Sequence, residues 1–235
     1  MKIIVTGASR GIGYELVKLL AKNGKHQIIG ISRNHDGLVK LRQACEGELG
    51  KLLIQPFDLE SIEEISTRLL PAVQEHFNSL DILVNNAGLL VNKPFEKLNI
   101  EDLKSSMEVN YLAPVVLIQV LLPLLLKAQN PHVINISSMG GVQGSTKFPG
   151  LSAYSSSKAA LGVMTECLAA EFMDSPLRFN TLALGSVQTE MLEEAFPGFK
   201  APLSPAEMAA FIKDFAENGG TYFNGKIIPV SLSTP

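Results

Sequence analysis

Only two cysteines, Cys45 and Cys167, occur among the 235 residues, and each stands far from the other with no thiol nearby. They form neither a disulfide framework nor a metal motif, so both read as buried or half-buried thiols in a reducing compartment. The four histidines (His26, His35, His76, His132) lack metal-ligand spacing, and no structural or catalytic zinc is expected. Basic charge is not in surplus: 20 Lys and Arg stand against 23 Asp and Glu, a net charge of -3, with no basic stripe. That balance argues against a nucleic-acid surface, and no block of like charge suggests a disordered tail. Long apolar runs are missing too. The longest, 113–126, contains Pro114, Gln119 and Pro123, and it falls short of the roughly 20 residues that cross a bilayer. It reads as a buried helix or a subunit contact, not a membrane anchor. The apolar stretch after Met1 is too short for a signal peptide, so the cytoplasm is the expected location.

What the chain does have is apolar content, 46% of its residues, enough for one large core and one domain over 1–235. Short apolar runs alternate with longer amphipathic ones. Strands are expected at 2–6, 27–31, 52–57, 81–84, 132–136, 177–184 and 226–230. Helices are expected at 12–22, 38–45, 61–77, 100–127, 153–173 and 205–217, and 139–152, rich in glycine and serine, reads as a loop. Strands apolar on both faces and separated by helices form a parallel sheet covered on both sides. The expected fold is therefore α/β: a three-layer, Rossmann-type, doubly wound parallel sheet of about seven strands.

The first strand runs into Thr6-Gly7-Ala8-Ser9-Arg10-Gly11-Ile12-Gly13 and then into a helix. Strand, glycine turn and helix make a dinucleotide-binding entry. Glycines let the backbone approach a pyrophosphate, whose charge is favoured at a helix N-terminus. The second strand ends at Ile31-Ser32-Arg33. An acidic residue there would bind the ribose hydroxyl of NAD, and an arginine accommodates the 2′-phosphate of NADP. Ser32 and Arg33 hold that site, Arg10 adds a second guanidinium, and guanidinium suits phosphate geometry. NADP(H) is the expected coenzyme, with NAD(H) the lesser alternative.

Tyr154 and Lys158 stand four residues apart in an expected helix, on one face and one turn apart. A phenol holds its proton to about pH 10. An ammonium nearby lowers that value, which would give a proton donor and acceptor usable near neutrality. The spacing alone is common.

Taken with its surroundings, it resembles the short-chain dehydrogenase/reductase family over nearly the whole chain. The glycine turn matches the family's Thr-Gly-x-x-x-Gly-x-Gly, Asn85-Asn86-Ala87-Gly88 its Asn-Asn-Ala-Gly, and Tyr154 with Lys158 its Tyr-x-x-x-Lys. Ser138 falls in the catalytic serine position, Asn110 in that of the active-site asparagine, and Asp58-Leu59 resembles the pair beside the adenine ring. The resemblance implies that Tyr154 exchanges a proton with a carbonyl or alcohol oxygen. It implies that Ser138 hydrogen-bonds that oxygen, that Lys158 holds the nicotinamide ribose and that Asn110 positions a relay water. Gly185, Val187 and Thr189 fall in the segment after the sixth strand, where Val187 and Thr189 would contact the nicotinamide amide and a phosphate. The resemblance also implies a homodimer or homotetramer built through the Asn110 and Tyr154 helices.

Departures from the family pattern fall at the rim. Leu184 stands before Gly185 where the family has proline, which leaves the local turn geometry open. The loop between Ser138 and Tyr154 is about three residues longer than in many members, so 142–150 is expected to reshape the substrate mouth, and Ser231-Leu232 replaces a frequent closing Gly-Gly. The segment 190–204, with its Pro197-Gly198 turn, is expected to act as a substrate lid. Leu89, Leu90, Met139, Gly140, Phe148, Met191 and Phe196 are candidates for an apolar pocket that takes an aldehyde or ketone. Two alternatives stand beside this reading: a reductase of 3-oxoacyl groups in lipid metabolism, and a non-catalytic dinucleotide sensor.

Overall fold

The computed structural model describes residues 1–24 and 26–232. In chain order the elements are β1 (Lys2–Thr6), α1 (Gly11–Asn23), β2 (Gln27–Ser32), α2 (His35–Ala44), β3 (Lys51–Pro56), α3 (Leu70–Gln74) and β4 (Ile82–Asn85). The second half adds α4 (Ile100–Met107), α5 (Ala113–Leu125), β5 (His132–Ser138), α6 (Ser152–Glu171), β6 (Arg178–Leu184), α7 (Glu190–Ala195), α8 (Pro205–Asn218) and β7 (Lys226–Val230). All seven strands lie parallel in the order β3-β2-β1-β4-β5-β6-β7. The expected sheet is thus the observed one.

Alternation along each strand divides the core. Ile3 and Val5 of β1 pack with Leu16 and Leu20 of α1, Leu38 of α2 and Ile212 of α8 on one face. Ile4 packs with Leu117 and Leu121 of α5, Val73 of α3 and Phe179 of β6 on the other. Successive side chains of a strand point to opposite faces, so both faces need an apolar cover. The chain reverses direction across the sheet between β1 and β4. A crevice opens there at the carboxyl ends of the strands.

Two helices expected to be continuous are broken, each next to a proline. The 61–77 stretch folds as a 3₁₀ turn (Ile62–Glu64), a π turn (Ile65–Leu69) and then α3, with Pro71 in its first turn. The 100–127 stretch is α4, a π turn over Glu108–Leu112, then α5. Pro114 has no N–H, so the Asn110 carbonyl loses its helical partner four residues on. The ladder widens instead, and the Ala113 N–H reaches back to Glu108 O. The combined helix over 100–125 is long and apolar, but half of it is buried, with Leu117, Ile118, Leu121, Leu124 and Leu125 in the core. It is a core helix. Cys45 is buried, whereas Cys167, expected to be at least half-buried, is exposed on α6.

A buried polar chain fixes α6 to the sheet. Asn85 Nδ2 donates to Asn135 Oδ1 at 2.8 Å, and Asn135 Nδ2 to Thr165 Oγ1 at 2.9 Å. Thr165 spends its own proton on Leu161 O, so the 2.7 Å contact with Thr181 takes its proton from Thr181. Strands β4, β5 and β6 thereby hold one face of α6. Polar groups buried this deeply are tolerated where they find partners, as every side-chain polar atom of this series does except Asn85 Oδ1.

Candidate active site

The crevice is a cavity of about 510 Å³ running from Arg33 and Asp58 at one end to Phe148 and Phe196 at the other. Ser138, Tyr154 and Lys158 line it between these ends, and Ser9, Ile12, Ser32, Leu59, Ala87, Gly88, Gly185, Val187 and Thr189 line it too. Two of the residues assigned from sequence, Gly13 and Asn110, do not line it.

The glycine turn is built for close approach. Gly7 and Gly11 have φ of 67° and 58°, a region that favours glycine. A Cβ on Gly7 would lie 2.9 Å from Ala87 Cα, so the turn and the end of β4 meet backbone to backbone. Gly13 sits behind the turn, where a Cβ would run into Gly7 O; it packs α1 against the strand. Thr6 Oγ1 accepts the N–H groups of Asn86 and Ala87, both at 3.0 Å, and Asn86 Nδ2 donates to Thr6 O at 2.9 Å. The Asn86-Ala87-Gly88 segment is therefore laced to the glycine turn as one wall.

At the outer end Ser9 and Ser32 share a hydrogen bond of 2.8 Å. Arg33 reaches Glu60 at 3.0 Å and Asp58 at 3.9 Å. Arg10 is paired with Glu194 of α7 at 2.8 Å. Both guanidinium groups lie at the rim of the cavity, and no carboxylate takes the place of Ser32.

Tyr154 and Lys158 occupy the first two turns of α6. Lys158 is 4% exposed, and its Nζ donates to Ile136 O at 2.8 Å and lies 6.0 Å from the Tyr154 ring centre. Burial pulls its pKa down to about 8. The phenol moves the other way: burial raises Tyr154, and a hydrogen bond from Ser138 offsets part of that rise. Sequence reasoning expected the ammonium to acidify the phenol. Here desolvation wins, and Lys158 turns its proton toward a strand carbonyl. Ser138 in turn accepts the Gly140 N–H at 3.1 Å.

Asn110 is fully buried. Its Oδ1 accepts Leu89 N–H at 2.9 Å, and its Nδ2 donates to Leu89 O at 2.8 Å and Ser157 Oγ at 3.0 Å. The side chain is a clamp on the wall segment. A Cβ on Gly88 would sit 3.3 Å from Asn110 Oδ1 and 3.4 Å from Lys158 Nζ, so clamp and ammonium flank the same glycine.

The seven apolar pocket candidates all line the inner end, with Phe148 55% exposed at the mouth. With leucine in place of the family proline, β6 continues through residue 184, paired with Ser138 on one side and Val230 on the other. Val187 bridges to Leu203. The start of the 190–204 segment is helical, which was not expected. Thr189 Oγ1 accepts Leu192 N–H at 3.2 Å and caps α7. A threonine followed by glutamate was the available signal, a cap before an acidic first turn. Sequence reasoning also missed Asn92, which donates to Ala195 O at 2.7 Å and ties the far end of α7 to the wall after β4.

Comparison with known proteins agrees with this geometry. The short chain dehydrogenase family model matches residues 1–198. The chain is 33% identical over 217 residues to a fatty acyl-CoA reductase of Acinetobacter baylyi, covering 89% of this chain and 70% of that protein. It is 29% identical over 239 residues to the 3-oxoacyl-acyl-carrier-protein reductase FabG of Thermotoga maritima, covering 97% and 94%. A Shigella flexneri protein solved in complex with NADP superposes with a TM-score of 0.85 at 29% identity, covering 97% of this chain and 95% of that one.

Proposed function

The chain belongs to the short-chain dehydrogenase/reductase family, oxidoreductases acting on CH–OH and C=O with NAD(P), and we propose that it is an NADP(H)-dependent reductase of apolar aldehydes or ketones. One observation carries this reading. Ser138, Tyr154 and Lys158 converge midway along the cleft, between two arginines at its outer end and an apolar pocket at its inner end.

The residues present fit the coenzyme. The backbone cradle at Gly7 and Gly11 and the N-terminus of α1 suit a pyrophosphate. Asp58 and Leu59 flank the adenine side, and Arg10, Ser32 and Arg33 suit a 2′-phosphate. That the Shigella flexneri protein was solved with NADP supports this choice, and NAD(H) is the weaker ligand. Ala87, Gly88, Gly185, Val187 and Thr189 line the nicotinamide end. Thr189 still has its hydroxyl proton to donate to a phosphate. When bound, the coenzyme supplies the hydride in reduction and takes it in oxidation.

The chain's own part is orientation and proton handling. Ser138 Oγ–H and Tyr154 Oη–H are placed to hold one substrate oxygen, and Tyr154 gives it a proton. A phenol raised above its usual pKa stays protonated at neutral pH, which favours carbonyl reduction over alcohol oxidation. Lys158, still largely charged at pH 7, holds the ribose hydroxyls. Asn110 keeps Leu89 and Gly88 in place, and its main-chain carbonyl, whose donor four residues on is replaced by Pro114, is the group to hold a relay water. The protein is a single domain whose lid is 190–204, working in the cytoplasm. Leu103, Leu112 and Val163 are exposed on α4, the π turn and α6, which supports a homodimer or homotetramer through that face.

The two relatives named for acyl-CoA and 3-oxoacyl substrates support a second reading, reduction of a carrier-bound acyl group. The basic residues lining the cavity, Arg10, Arg33 and Lys158, all lie toward the coenzyme. None is left at the inner end for the phosphates of a carrier arm, so a free apolar carbonyl is preferred. A dinucleotide sensor would need only the glycine turn, whereas this chain also brings a serine, a phenol and an ammonium together. The deciding experiment follows NADPH oxidation against a panel of free aldehydes, ketones and 3-oxoacyl thioesters. Turnover of thioesters alone moves the assignment to the second reading, and coenzyme binding without any turnover moves it to the sensor.

A further inference from the structure

The lid helix α7 presses carboxylates onto the groups that would recognise coenzyme phosphate. Glu194 Oε1 lies 2.8 Å from Arg10 Nη1 across 184 positions of sequence. Glu190 sits against the glycine turn, its Oε2 3.6 Å from where a Cβ on Gly11 would be. Thr189, the cap of α7, is 3.5 Å from the same point. The remaining acid of α7 is used differently. Glu193 accepts Gly198 N–H at 3.0 Å and Gln188 Nε2–H at 3.3 Å, and Gln188 Oε1 accepts Ala201 N–H at 2.8 Å. The segment is thus braced by its own residues and hung across the cleft from two points. Arg10 is the anchor on the coenzyme side, and Asn92 is the anchor on the substrate side.

Arg10 cannot serve Glu194 and a 2′-phosphate equally. A dianionic phosphate offers more charge and three acceptor oxygens to the same fork. We propose that Glu194 is a positioning residue that latches the lid through Arg10, and that the 2′-phosphate of NADP(H) releases the latch by taking Arg10. The inference rests on the NADP(H) reading above. Its consequence is that the phosphate separating NADP from NAD does more than add affinity: it frees Glu194, next to the last residue of α7, from the glycine turn. Ala195, the adjacent residue, stays on Asn92 across the cleft, so the lid pivots there.

The test uses the adenosine half alone, which does not reach the substrate end. Binding of 2′,5′-ADP and 5′-AMP is measured on the full-length protein and on Glu194→Gln, with amide hydrogen exchange followed over residues 190–203. In the wild type, 2′,5′-ADP raises exchange in this segment and 5′-AMP does not. In Glu194→Gln exchange in the segment is raised from the start by about two- to fivefold, and 2′,5′-ADP binds about two- to fivefold tighter, both ranges set by one exposed ion pair, with 5′-AMP unchanged. A merely structural glutamate would not produce that selectivity for the 2′-phosphate. If 2′,5′-ADP binds well yet leaves exchange at 190–203 unchanged in the wild type, the latch is wrong and the NADP(H) reading survives. If 2′,5′-ADP binds no better than 5′-AMP, the NADP(H) reading fails and the latch with it.

Discussion

Asn110 and Ser157 are bonded in one direction only. Ser157 gives its proton to Tyr154 O at 2.8 Å, so its oxygen can only accept from Asn110 Nδ2. Leu89 N–H claims the amide oxygen, which fixes the amide's orientation. Helix α6 and the segment after β4 are therefore held by one side chain that needs both a carbonyl oxygen and an NH₂. Asn110→Asp keeps the shape and loses the donors, leaving Leu89 O and Ser157 Oγ facing a carboxylate. Unfolding free energy in urea is expected to fall by about 2–4 kcal/mol, the cost of two buried acceptors losing their donor. A loss below about 0.5 kcal/mol would show that the clamp holds little.

In the proposed reading Tyr154 gives the proton to the substrate oxygen. Tyr154→Phe is expected to lower kcat by about 10²–10⁴-fold, the usual weight of a general acid. NADPH affinity, measured by fluorescence titration, should change less than about threefold, because the phenol adds little to coenzyme binding. Retention of a tenth of the activity would remove Tyr154 from its role.

The charge on Lys158 sets an upper pH limit. Its pKa near 8 means the ammonium is present at pH 7 and lost as pH rises through about 8. Tyr154, raised by burial, remains protonated over this range. Carbonyl reduction measured as kcat/KM should be flat from about pH 6 to 7.5 and fall above about 8. A flat profile to pH 9.5 would show that the charge on Lys158 is not needed.

Arg33 discriminates between the two nicotinamide coenzymes in the proposed reading. Arg33→Ala is expected to raise KM for NADPH about 10- to 100-fold, the value of charged hydrogen bonds to a phosphate. KM for NADH should stay within about twofold. Equal losses with both coenzymes would assign Arg33 to the fold instead.

His132, the first residue of β5, is buried, with Asn180 Nδ2 at 3.0 Å from its Nε2 and Phe215 against its ring. Burial lowers its pKa to about 4. An unfolded chain takes the proton below about 6.5 and the folded one only near 4. Stability is therefore fully present above about 6.5 and declines as pH falls toward 4, by roughly 3 kcal/mol. Unfolding free energy between pH 7 and 4.5 should fall less in His132→Gln than in the wild type. Equal slopes would mean that His132 does not carry the acid sensitivity.

Much of this architecture was legible in the residues. Ile3-Ile4-Val5 and Ile82-Leu83-Val84 read as strands because a sheet covered on both faces needs apolar side chains in both directions. The glycine turn read correctly because a backbone approach demands residues without Cβ. What could not be read is what depends on partners distant in sequence. Asn110 looks like any helix asparagine until Leu89 and Ser157 are beside it. Arg10 looks solvated until α7 folds back onto it. The π turns follow from Pro71 and Pro114, but a proline announces only that a ladder breaks, not how it is rejoined. The direction of the Tyr154 shift was misjudged because spacing shows proximity and not solvent exclusion.

The hydrogen-bonded series Asn85, Asn135, Thr165 and Thr181 works as a key cut for one position of the lock. Sliding α6 by a single residue would break both contacts that Thr165 makes to the strands, so the helix that carries Tyr154 and Lys158 cannot drift while the fold persists. The rim carries no such key, since the 142–150 loop and α7 are tethered by only a few contacts. New substrates can therefore be accommodated by redrawing those two borders, leaving the chemistry between them undisturbed.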